Sequence, residues 1–230
     1  MMMPYETQRE LDAGGLPADA RRAGVSRLEP PEGGTTSTAT GGALAYALAY
    51  PGDCFEERLD EALTLVRRHA PEAAVPLAAF RDAVGPLSPE AREELYTRTF
   101  DINPVCSLEI GWQLFGEEYH RGALLVRLRG ELRRHGIEES TELPDHLTHV
   151  LSLLDRMDGG EAQSFAECCV IPALDKMLVA FEEQENPYGD VLLAVGLFLK
   201  QRFVSAATLT PSPSPRSTEA RGEEAAGDPS

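Results

Sequence analysis

Between positions 41 and 205 apolar residues recur at helical rather than strand spacing. Phe55, Leu59, Ala62, Leu63 and Val66 follow the i, i+4, i+7, i+8, i+11 rhythm of one helix face. Asp53 and Glu56 predict a capping box for that helix. Ser88-Pro89 predicts a second helix start, with a cap residue followed by proline at the first helical position. Leu125, Leu128 and Leu132 form a stripe that Gly136 should end. Leu147, Val150, Leu151, Leu154 and Met157 make the next stripe. Ile171, Leu174, Met177, Leu178 and Phe181 repeat the pattern before Asn186-Pro187, and a last helix should run from about Asp190 to Phe203. No run of alternating β-branched residues and no Asn-Gly hairpin signal interrupts this, and no fixed repeat is present. The predicted fold class is all-α: a single bundle-like domain of about eight helices over residues 41–205.

The ends read differently. Residues 1–40 carry Gly, Pro, Thr and Ala without a helical stripe and should form a flexible, disordered leader. Residues 206–230 are Pro/Ser-rich and then acidic, and should form a disordered tail. The net charge is -17, and most of it belongs to 41–205, where acidic residues outnumber basic ones nearly two to one. Such a surface repels phosphate backbones and anionic membranes, and attracts cationic partners. Hydrophobic residues make up 42% of the chain, enough for a core. Val191–Leu199 is about half the length a bilayer crossing needs, and the N-terminus lacks the pattern of a secretory signal. The four cysteines, Cys54, Cys106, Cys168 and Cys169, form no CxxC pair and read as reduced thiols. A cytoplasmic location is expected.

Candidate chemistry is sparse. The phosphate loop, the dinucleotide-binding glycine pattern and the nucleophile elbow are all missing. His146 and His149 stand one helical turn apart if Pro144 opens a helix, so they form a metal half-site without a third ligand. On the helical wheel Asp145 and His149 fall opposite the Leu147, Val150, Leu151 and Leu154 face, with His146 at its border. That polar pair is either a peptide grip or an ordinary solvated helix start. Trp112, the single tryptophan, lies in the apolar stretch SLEIGWQLFG and fits either the core or a ligand contact. From the residues alone, a metal-dependent helical enzyme using His146 and His149 and a generic helical adaptor both stay open.

Several motifs carry a resemblance. Tyr96-Thr-Arg-Thr-Phe100-Asp101, followed by Cys106-Ser107-Leu108, resembles the YxxxFD…SL segment of the NarJ-type nitrate reductase assembly chaperones. Phe115-Gly116-Glu117 and Arg121-Gly122 are similar to that family's HGxxxxRG segment without its first His. Glu142-Leu143-Pro144-Asp145-His146-Leu147 matches its ELPDHL motif. Leu48-Ala49-Tyr50-Pro51 and Asn186-Pro187-Tyr188 resemble its LLxYP and NPY-like segments.

The resemblance implies the all-helical fold of the NarJ/TorD/DmsD redox-enzyme maturation chaperones. It also implies a function: binding the N-terminal segment, twin-arginine or remnant, of a molybdopterin-dependent catalytic subunit until its molybdenum cofactor is inserted. No enzyme activity, cofactor or metal of the chain's own is then expected, nor nucleic-acid binding or stable membrane insertion. The partner would be that catalytic subunit, with the chain a monomer or a domain-swapped dimer. Pro144, Asp145 and His146 carry over as the peptide-binding segment. Leu143, Leu147 and Trp112 are expected to line an apolar groove there, with His149 and Phe100 as further candidates and Asp145 attracting a basic residue of the peptide.

Overall fold

The computed structural model describes residues 40–182 and 184–204, so the expected leader (apart from Thr40) and tail lie outside the described residues. Among these residues every regular element is helical, as the spacing predicted. In chain order they are α1 (Thr40–Ala47), α2 (Phe55–His69), α3 (Pro71–Val84), α4 (Pro89–Tyr96), α5 (Ile110–Phe115) and α6 (Tyr119–Arg134). α7 (Leu147–Leu154), α8 (Gly159–Phe165), α9 (Ile171–Val179) and α10 (Tyr188–Phe203) complete the set. α4 continues as a π-turn over Thr97–Asp101, and α8 runs through a second one, Ala166–Val170, into α9.

Local sequence explains most of the boundaries. Ser88 Oγ accepts the Ala91 amide at 3.2 Å, with Pro89 in the first turn of α4, as expected. Gly136 takes φ 63 just past α6, where a side chain would be strained. Pro172 lacks an amide hydrogen and its ring would press on the carbonyl four residues back; the bulge over Ala166–Val170 makes room for it.

One boundary departs from expectation. Asp53 and Glu56 form no capping box: α2 starts after Cys54, at φ 60, without a side-chain cap. Glu56 pairs instead with Arg92. The Arg92 guanidinium is buried and also donates to the carbonyls of Val84, at 3.0 Å, and Gly85, at 3.1 Å. These are end-of-helix carbonyls of α3 that need a donor. The tertiary contact outcompetes the local one.

α10 lies at the centre, packed on α3, α9 and α1, with Tyr188, Val191, Leu192, Ala194, Val195 and Leu199 almost fully enclosed. At its N-terminal end sits an aromatic cluster. The Phe100 ring meets Tyr188 at 4.8 Å and Tyr96 at 5.1 Å, and Tyr50 meets Tyr96 at 5.4 Å. These edge-on contacts favour the ring quadrupoles as well as burying area. Three of the motifs noted above therefore meet in this one cluster: the segments ending in Pro51, Asp101 and Tyr188.

α6 sits apart, against α5 and α7. Only Leu128 and Leu132 of its sixteen residues are buried, and they form a small satellite core with Ile137 and Leu153. No helix among the described residues is long and apolar enough to cross a membrane.

Candidate functional site

The Cys106-Ser107-Leu108 segment runs on to meet the ELPDHL segment. The Leu147 amide donates to the Leu108 carbonyl at 2.9 Å, and the Ile110 amide to the Asp145 carbonyl at 2.9 Å, around the antiparallel bridge of Glu109 with His146. Each strand-like stretch then turns directly into a helix, α5 from Glu109 and α7 from His146. Pro144 and Asp145 form a turn, closed by the His146 amide donating to the Leu143 carbonyl at 3.0 Å, so α7 begins at Leu147 rather than at Pro144.

Asp145 is wholly buried beneath the crossing. Its Oδ2 accepts the Gly111 amide at 3.2 Å and the Arg121 Nε–H at 3.3 Å. Arg121 also lies over the Trp112 ring, 5.5 Å from its centroid. Burial pushes the Asp145 carboxyl above its ordinary range, and Arg121 pulls the other way. Half-buried Glu109, which accepts from the Ser107 hydroxyl, is raised by burial and by the Asp145 charge. Trp112 Nε1 donates to the Pro104 carbonyl at 3.0 Å, which seats the indole on the turn preceding the bridge.

The histidines serve the frame. His146 caps α7, its Nδ1 facing the Thr148 hydroxyl at 2.7 Å. His149 is fully buried; the Ser140 amide donates to its Nε2 at 3.1 Å, and Nδ1 donates to the Leu143 carbonyl at 3.0 Å. With one nitrogen accepting and the other donating, this imidazole is neutral, and burial lowers its pKa.

Leu143, Pro144, Asp145, His146, Leu147, His149 and Trp112 thus come together, but the expected exposed polar pair does not. Asp145 and His149 lie in the interior because the loop before Leu143, together with α5 and α6, covers the face of α7 that the wheel left polar. Leu147 is also fully buried, so it lines no open groove, whereas Leu143 is 42% exposed and Trp112 half-buried. Phe100 lies elsewhere, in the aromatic cluster. Among the described residues no three His, Cys, Asp or Glu side chains group as a metal site.

Residues 67–194, more than half of the chain, match the family model described as the nitrate reductase delta subunit. The chain belongs to that family. Its matched stretch includes the whole crossing of the Ser107–Ile110 and Pro144–Leu147 segments, together with Phe100 and Tyr188. Two curated proteins, from Escherichia coli strain K12 and Escherichia coli O157:H7, each carry the name nitrate reductase molybdenum cofactor assembly chaperone NarJ. Both are 27% identical to this chain over 157 residues, 65% of its length and 66% of theirs. The chain thus spans just under two thirds of the relatives' length.

Sequence reasoning missed two members of the site. Arg121 stands out only as part of a motif, and Glu109 only as one polar position inside the apolar stretch SLEIGWQLFG. Neither stands at a helical spacing from Asp145, and only the chain crossing brings them near it.

Proposed function

We propose that this protein is an assembly chaperone for a molybdenum-cofactor oxidoreductase. It holds the N-terminal segment of the catalytic subunit while the cofactor is inserted, works in the cytoplasm, and catalyses no reaction itself. Family membership and the relatives' names support the class of function. The observation that carries the contact is a buried carboxylate, Asp145, roofed by a partly exposed arginine and tryptophan.

In this reading Leu143, Trp112 and the Asp145 carboxylate meet the client segment. Pro144, His146, Leu147 and His149 hold that surface in shape, and Phe100 supports the fold from the separate aromatic cluster. The acidic balance of the chain speeds encounter with a basic segment and disfavours acidic ones.

Calorimetric titration with the N-terminal peptide of the catalytic subunit is the direct test. The wild type should bind it, and Leu143→Asp should lose most of the affinity while keeping its melting temperature. Absence of binding by the wild type sinks the assignment.

A further inference from the structure

Arg121 pairs with Asp145 and its charge also acts on nearby Glu109, yet the pairing leaves an acceptor over. Asp145 Oδ1 is enclosed without a hydrogen-bond partner among the described residues. Such an atom in a wholly buried side chain calls for a donor. Arg121 reaches the other oxygen through Nε, and only at 3.3 Å.

Arg121 is also held lightly. It lies in the first turn of α6, whose buried anchors, Leu128 and Leu132, are further along the helix. Its side chain keeps 19% of its surface exposed, and neighbouring Tyr119 is 88% exposed. Gly116, at φ +58, turns the chain just before α6. Glu118 and Glu117, three and four positions before Arg121, are exposed carboxylates with which a released guanidinium could pair.

We propose that Arg121 is an internal latch, seated in an arginine site made by Asp145, Glu109 and Trp112, and that a guanidinium of the client segment enters by exchanging with it. The proposal rests on the chaperone reading above and adds how that site is gated and what it selects. Exchange of one guanidinium for another keeps the buried Asp145 charge paired in both states. A segment lacking arginine would have to leave that charge unpaired, which is strongly unfavourable in the interior. The closed latch lowers apparent affinity by the fraction of molecules in which it is open. Arginine at the latch suits both surfaces it touches, since its planar fork can stack on the indole while it donates to a carboxylate.

The test uses the full chain in calorimetry with two probes. One is the N-terminal peptide of the catalytic subunit with its arginines; the other is a copy with citrulline at each arginine, which keeps the shape and loses the charge. Arg121→Gln should bind the arginine peptide roughly tenfold more tightly than the wild type. Arg121→Lys, which keeps a cation beside Asp145 and serves if the glutamine variant melts early, should tighten it by a smaller factor. The citrulline copy should bind the wild type weakly, and Arg121→Gln combined with Asp145→Asn should lose the gain. If the wild type binds and neither single variant tightens, the latch is wrong while the chaperone assignment stands. If no form binds either peptide, both fall.

Discussion

The carboxylate of Asp145 accepts the amide of Gly111 at 3.2 Å, and the two residues are so close that a Cβ on the glycine would lie 2.6 Å from the same oxygen. That Cβ would also meet Arg121 Cγ at 3.1 Å and Leu124 Cδ2 at 3.2 Å, so it has no free direction to take. Gly111→Ala should therefore destabilise the fold by about 1–3 kcal/mol, the usual penalty for overpacking an interior. Denaturant unfolding followed by circular dichroism checks it, and an unchanged midpoint would show that the Asp145 pocket is looser than described.

His149 predicts an acid-sensitive loop. Its pKa is lowered in the fold, from an ordinary value of 6.5, so the unfolded chain binds the proton first as pH falls. Stability contributed by the neutral ring is complete above 6.5 and is lost below it. A protonated Nε2 can no longer accept the Ser140 amide. Compared with His149→Gln, the wild type should lose stability as pH drops from 7 to 5, and exchange of the Ser140 amide hydrogen should accelerate over the same range. Equal pH profiles for the two proteins would refute the assigned tautomer.

Asp155 predicts the opposite sign. It accepts the Gly42 amide at 2.8 Å, pairs with Arg202, and so joins the starts and ends of α1, α7 and α10. Burial raises its pKa from 3.8 to about 6, against the pull of the Gly42 amide and Arg202. The folded state therefore takes up the proton first. Relative to Asp155→Asn, the wild type should gain stability as pH falls through 6. The gain should be complete below the ordinary carboxylate pKa and amount to about 3 kcal/mol. Thermal melts of both proteins across that window measure it, and a wild type that loses ground to the variant on acidification contradicts the sign.

Asn186 ties two distant motifs together. Its Nδ2 donates to Thr99 Oγ1 at 2.8 Å, and its Oδ1 accepts the Tyr188 amide at 3.0 Å at the start of α10. Thr99 passes the chain of bonds on by donating to the Leu95 carbonyl at 2.7 Å. Asn186→Ala should cost about 1–2 kcal/mol, and a double-mutant cycle with Thr99→Val should show coupling of at least about 0.5 kcal/mol. Additive losses would mean that the contact does not contribute.

Much of the architecture was written in local chemistry. The 3.6-residue recurrence in α2, α7 and α9, the Ser88-Pro89 start and the Gly136 stop are short-range signals, and each is decided by the torsions and side chains of a few neighbours. The Asp53–Glu56 cap failed for the complementary reason. Arg92, far along the chain, offers Glu56 a buried guanidinium, and a local propensity cannot register a distant partner.

The sequence by itself determined that the chain is helical, which faces of its helices are apolar, and which segments are similar to one family, because periodicity and motif spacing are properties of the linear chain. Only the tertiary structure decided that Phe100 belongs to an aromatic core and that Asp145 and His149 point inward. It also set Arg121 opposite Asp145. A helical wheel ranks faces by one helix's own residues, but burial depends on what packs against each face, and here α5, α6 and the loop before Leu143 close over the polar side of α7.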